Sequence, residues 1–175
     1  MLNSKPNNSS YNQGNFVPNN KDKVIKLNSS GGLYYRSSLE KKFMTYLDIN
    51  TDIIRWSAEM FEIPYTSKEV IDGDVVYKNR RYYPDFYYEI KSGPEGIKKV
   101  IAEVKPKSEY IDVLMFREGK FNIPNNASVK KMKNLEYKMK MSQKNSAKWE
   151  TMIEFCQKKG YEFIIITDEI LNNRI

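Results

Sequence analysis

The chain has 175 residues, 40% hydrophobic and 13% aromatic, which is enough apolar material for one folded domain with a real core. It carries a formal net charge of +7, a pI of about 9.2, one cysteine (Cys156) and no histidine. Without histidine, Ser-His-Asp and Cys-His nucleophile systems cannot be built, and one thiol cannot make a Cys/His zinc site; a catalytic metal would need oxygen ligands, which points to Mg²⁺ or Mn²⁺.

Residues 1–32 are crowded with Asn, Ser, Gly and Pro, a composition that predicts a mobile arm in which "VIKL" (24–27) is a stretch able to dock. The folded domain is expected over 33–175. In "YRSSLEKKFMTYLDIN", Leu39, Phe43, Tyr46 and Leu47 recur at helical spacing behind Ser37, a candidate N-cap. "DIIRWSAEMFEIPY" reads as a short helix or turn running into a strand that Pro64 stops. Next come a "DG" turn, a "VVY" strand, a "KNRR" turn and the strand "YYPDFYYEI"; "KSGPEG" turns the chain and "IKKVIAEVK" completes an antiparallel meander.

Residues 107–126 look irregular, pinned to the core by Ile111, Val113, Leu114, Met115 and Phe116. "SVKKMKNLEYKMKMSQ" reads as a basic helix. A second helix is expected from Ser146, with Trp149, Met152, Ile153 and Cys156 as its buried stripe and Gly160 as its end. "YEFIIIT" has the continuous apolar run of a buried strand, and "DEILNN" closes the chain as a helix. The order α-β-β-β-α-β implies an α/β fold: a mixed sheet with an antiparallel meander, flanked by helices. No run of 18 apolar residues exists to predict a transmembrane helix, and the N-terminus lacks the apolar region of a secretory signal.

The meander carries three residues that strands disfavour: Asp85 after a proline, and Glu103 and Lys105 two apart. Side chains alternate along a strand, so Glu103 and Lys105 share a face, and a short turn can bring Asp85 beside them. Two adjacent carboxylates repel unless a cation lies between them. Lys105 supplies part of that charge; a divalent metal held by Asp85, Glu103 and the Val104 carbonyl would supply the rest and would suit phosphodiester hydrolysis. This is the spelling of the PD-(D/E)xK nuclease motif. The bland reading is an edge carboxylate and a surface Glu/Lys pair that discourage aggregation.

Glu40 has two readings. Ser37-x-x-Glu40 spells a capping box, yet Glu40 also projects toward the core side of its helix, where a third metal-site acid would lie. Six lysines between 122 and 147, including Lys140 and Lys144, could form a phosphate-contacting face or a solvated one. Tyr82, Tyr83, Phe86, Tyr87 and Tyr88 read as core rather than as base-stacking platforms.

In order along the chain, "YRSSLEKKFMTYLD", "IIRWSAEMFEIPY", "RYYPDF", "IAEVKPK" and "SAKWETMIEFCQKKGYEFIIITDEIL" resemble the blocks of tailed-phage head completion nucleases and, more distantly, TnsA-type transposon-end endonucleases. The likeness runs from Tyr34 to Leu171; the stretch from Glu109 to Lys144 matches poorly. It implies a restriction-endonuclease-like core and a Mg²⁺-dependent endonuclease (Mn²⁺ as the alternative) acting on double-stranded DNA during head completion. Glu40, Asp85, Glu103 and Lys105 are then its catalytic residues, with Glu40 added to the metal site and Glu59 supporting it. Arg36, Lys140, Lys144 and Lys148 are the candidate DNA contacts, and Trp149 is core. The resemblance also implies phage head or portal partners, a homodimer for double-strand cutting, and residence in the host cytoplasm or the virion. The competing function is a non-catalytic structural protein that binds DNA or the portal.

Overall fold

The computed structural model describes residues 12–71, 74–94, 96–121 and 126–173. Its elements in chain order are β1 (Gly14–Phe16), β2 (Leu33–Tyr35), α1 (Ser38–Ile49), β3 (Ile53–Ala58), β4 (Ile63–Ile71) and β5 (Asp74–Tyr82). There follow β6 (Phe86–Ser92), β7 (Gly96–Val104), α2 (Lys107–Arg117), α3 (Val129–Lys159), β8 (Glu162–Ile166) and α4 (Asp168–Asn172). The central sheet has the order β3-β6-β7-β8. Its pairs are antiparallel except β7–β8, which is parallel and therefore needs the long crossover through α2 and α3. Two smaller sheets pair β1 with β2 and β4 with β5. Among the described residues no helix is long and apolar enough to cross a membrane.

Alternation along β7 explains the layers. Val100, Ala102 and Val104 face a core made with Phe43, Met44 and Leu47 of α1 and Leu171 of α4. Ile101 faces the other side, where it meets Tyr87, Met152 and Cys156 of α3, and Ile63, Tyr65 and Tyr82 of the β4–β5 hairpin. The same parity puts Glu103 on the α3 side, at the sheet's end.

Several expectations change; Pro64 lies inside β4 rather than ending a strand, and Tyr83 and Ile153, read as core, are exposed. The segment expected to be a short helix or turn is strand β3, because Ile53, Trp56 and Ser57 are buried against β6 and Val24 bridges to Trp56. "KNRR" is not a turn but the middle of β5. Its polar residues are held across the hairpin, with Arg80 Nε donating to Ser67 Oγ at 2.8 Å, Lys78 within 3.3 Å of Glu69, and Arg80 also bonded to Glu69. The "DG" at 72–73 lies outside the described residues. Residues 107–117 are helical, with Val113 buried; 122–125 lie outside the described residues.

The two helices expected around Ser146 are one helix of 31 residues. Ser146 is an internal docking point, accepting from Arg117 Nε at 2.9 Å, and Ser142 and Asn145 are buried beside it. The arm expected over 1–32 is not free from residue 12 onward. Residues 1–11 lie outside the described residues, but from 12 onward the chain is bound to the domain through β1–β2 pairing and through Asp48, which is 1% exposed. The Asn19 and Asn20 N–H groups donate to the Asp48 carboxylate at 2.8 and 3.0 Å, and Lys23 Nζ donates to the Asp48 and Asn50 carbonyls. These hydrogen bonds act together with Phe16, Val24 and Leu27, which pack on the core, so a composition poor in large apolar side chains understates how firmly the segment is held.

Candidate active site

β5 stops at Tyr82 and β6 starts at Phe86, so Asp85 lies in the break between them rather than within a strand. Pro84, which has no N–H to give a ladder, accounts for the interruption. Two backbone bonds hold Asp85 in place. Its Oδ2 accepts the Val104 N–H at 2.7 Å, and its carbonyl accepts the Glu59 N–H at 3.0 Å. Glu59 has a positive φ of 46°, a left-handed conformation that ends β3 beside Asp85 and costs a non-glycine residue about 1–2 kcal/mol. Its carboxylate is bonded to Arg36. The hydrogen bond to Glu59 raises the Arg36 pKa, with Glu40 and Asp85 adding to it, so these four side chains form one electrostatic group.

Glu103, the next-to-last residue of β7, is 2% exposed. Lys105 Nζ donates to its Oε1 at 2.9 Å and the Tyr82 hydroxyl to its Oε2 at 2.5 Å. Burial and the Glu103 carboxylate push the Asp85 carboxyl up to about 8, against the opposing pull of Lys105 and the Val104 N–H; Glu40 adds to the rise. Burial pulls the Lys105 ammonium down, but Glu103 and Asp85 outweigh it and hold Lys105 above the usual lysine value. Lys148 Nζ lies 5.0 Å from the centre of the Tyr82 ring, and burial lowers its pKa while Glu103 partly restores it.

Glu40 follows the capping reading. Its Oε2 accepts the Arg36 N–H at 2.9 Å, its Oε1 accepts the Ser37 hydroxyl at 3.0 Å, and its own N–H donates to Ser37 Oγ at 3.1 Å. It nevertheless lines a cleft of about 600 Å³ together with Arg36, Val104, Lys105, Glu109 and Asp168.

A family model for the TnsA-like endonuclease N-terminal domain matches residues 50–168. The head completion nuclease of Enterobacteria phage T4 is 31% identical over 156 residues, covering 89% of this chain and 91% of that protein. The chain belongs to the TnsA-like endonuclease family. It is an endonuclease, and its mixed sheet between helical layers is the restriction-endonuclease-like α/β core that the sequence predicts. The matched segment contains Glu59, Asp85, Glu103, Lys105 and Lys148; Arg36 and Glu40 precede it.

The donor set of this endonuclease fits an oxygen-coordinated divalent cation in one respect and departs from the expectation in another. Burial first and the Glu103 carboxylate second raise Asp85 despite the opposing Lys105 charge, the setting in which a cation between the two carboxylates is favoured. Among the described residues no three acidic, histidine or cysteine groups cluster as a metal site. The cap bonds hold both Glu40 oxygens on α1.

The structure gathers Asp85, Glu103, Lys105 and Lys148 with Arg36, Glu40 and Glu59 around one end of the sheet. Lys140 and Lys144 lie farther along α3, in a neighbouring groove. Two residues escaped the sequence reading. Tyr82, taken there as a core aromatic, orients Glu103. The signal was a tyrosine whose hydroxyl needs a partner once its ring is buried. Glu109, which adds to the field that raises Lys105, was legible only as an acid in the first turn of a helix that the sequence did not reveal.

Proposed function

We propose that this endonuclease is a metal-dependent DNA phosphodiesterase whose catalytic residues are Asp85, Glu103 and Lys105, the PD-(D/E)xK set. The observation that carries this reading is the Asp85 carboxylate held by the Val104 N–H at 2.7 Å, next to a buried Glu103 that Lys105 contacts at 2.9 Å. A Mg²⁺ or Mn²⁺ ion held by Asp85, Glu103 and the Val104 carbonyl would supply an activated water and charge neutralisation at the phosphate.

The chain's own groups do the rest. The Val104 N–H and the Glu59 N–H fix the Asp85 carboxylate and backbone, and the Tyr82 hydroxyl fixes Glu103. Lys105, kept charged by its carboxylate neighbours, faces the negative charge that grows on the phosphate. Lys148 and Arg36 border the same end of the sheet and would hold the flanking phosphates. Glu40 acts on Asp85 through its field and anchors the start of α1.

The similarity to the phage T4 protein named head completion nuclease supports a role in completing phage heads, in the host cytoplasm or in the virion. Head or portal proteins are then its partners, and a homodimer would allow both strands to be cut. The test incubates the purified protein with supercoiled plasmid in Mg²⁺, Mn²⁺ or EDTA, beside Asp85→Ala. Metal-dependent nicking by the wild type alone is expected. Absence of nicking, or equal nicking by the variant, sinks the catalytic reading, and DNA retention without cleavage by the wild type would favour a structural role.

A further inference from the structure

A groove of about 630 Å³ separates the inner face of the β4–β5 hairpin from the middle of α3; Arg80, Phe116, Met139, Lys140, Gln143 and Lys144 contribute to its lining. Both of its walls lead into the active site. On β5, Arg80 and Tyr82 are two apart and share a face, so the strand that lines the groove at Arg80 reaches Glu103 at Tyr82. On α3, Lys140, Lys144 and Lys148 recur every fourth residue and form a ladder with rungs about 6 Å apart along the helix. Lys148 ends that ladder over the Tyr82 ring.

The charges of this ladder carry no ion pair. Among the described residues no carboxylate pairs with Lys140, Lys144 or Lys148, whereas nearby Lys138 is paired with Asp112 at 3.0 Å. Of the two acids lining the groove, Glu69 is already neutralised by Arg80 and Lys78, leaving Glu136 as the single opposing charge there. The floor is apolar and polarisable, with Phe116, Met139 and Met141. A cationic rail beside an apolar wall with one aromatic ring, Phe116, is chemistry that suits single-stranded nucleic acid, phosphates on one side and bases on the other. A groove of about 630 Å³ has too little room for a duplex.

We infer that this groove receives a single strand of DNA, so that the preferred substrate is a duplex with an adjoining single-stranded tail, such as a flap or a frayed end. The inference rests on the nuclease reading for its biological use, but its test is a binding measurement. Fluorescence anisotropy in EDTA compares a blunt duplex with the same duplex carrying a ten-nucleotide single-stranded tail. The tail should tighten binding by fivefold or more, and the slope of log K against log salt should steepen. In Lys140→Ala/Lys144→Ala and in Phe116→Ala the increment that the tail adds, rather than the affinity itself, should shrink to less than half. Circular dichroism melts establish that each variant is folded.

Equal affinity of the wild type for blunt and tailed duplexes overturns the inference, as does a tail increment that survives in both variants. Mg²⁺-dependent cleavage of the blunt duplex is scored separately. Its absence defeats the nuclease reading and leaves the groove assignment to the anisotropy.

Discussion

Asp85→Asn tests the reasoning at the point where function and stability oppose each other. Asparagine keeps an oxygen that can accept the Val104 N–H, now bonded to Asp85 Oδ2 at 2.7 Å, but it removes the charge that faces Glu103. Burial and Glu103 push the Asp85 carboxyl from the usual 3.8 up to about 8. The folded state therefore binds more protons than the unfolded chain between those two values. In metal-free protein, stability contributed by this group falls as pH rises from about 4 to about 8, and stays low above.

At about 1.4 kcal/mol per pH unit, that interval bounds the penalty near ~6 kcal/mol. Asp85 is only half-buried, and Lys105 and water relax around it, so asparagine should stabilise the metal-free protein by about 1–3 kcal/mol at pH 8.5. In a chain of this size each kcal/mol moves Tm by about 2–4 °C. Thermal melts of both proteins in EDTA at pH 5, 7 and 8.5 check this. The variant should melt several degrees above wild type at pH 8.5 and lose most of that advantage by pH 5. Excess Mg²⁺ should raise the wild type alone. An Asp85→Asn protein that melts at or below wild type at pH 8.5 in EDTA, or a gap that ignores pH, refutes the account of repelling carboxylates.

Lys105→Ala should lower the initial rate of Mg²⁺-dependent plasmid nicking by about 10²–10³-fold, since it removes the cation nearest the developing charge. Asp48→Ala removes the acceptor of two backbone N–H groups and should cost about 1.5–3 kcal/mol. Hydrogen exchange should quicken across residues 14–24 while the nicking rate per folded molecule is unchanged; undisturbed exchange there would show that the segment is held by other means. Phe43→Ala empties a site 1% exposed, between α1 and the sheet, and should cost about 3–5 kcal/mol in urea unfolding.

Helix α1 was legible because Leu39, Phe43, Tyr46 and Leu47 repeat at its own period behind the Ser37 cap, and β7 because an apolar run ends in the Glu103–Lys105 alternation. Helix α2 was not. Val113 is its one fully buried residue, so its apolar stripe is too thin to announce a period, and its docking depends on Arg117 reaching Ser146 on another helix. The break in α3 predicted at Ser146 came from reading a buried serine as a cap. Without knowing that α2 lies alongside, the two roles look the same. The polar middle of β5 likewise became a strand only because Ser67 and Glu69 face it.

Local chemistry, which the chain carries in its covalent order, narrowed the class of reaction, and the ordered blocks carried the resemblance to endonucleases. The lack of histidine excluded the His-dependent nucleophile systems, and Asp85, Glu103 and Lys105 at hairpin spacing spelled an acidic site beside a lysine. Tertiary structure alone decided how groups far apart in sequence divide their partners. Glu40 is held by its own cap, Glu103 is shared between Tyr82 and Lys105, and residues 12–32 are bound through Asp48. A carboxylate has few lone pairs, and which donors reach them is settled by packing between remote segments, which no local period encodes.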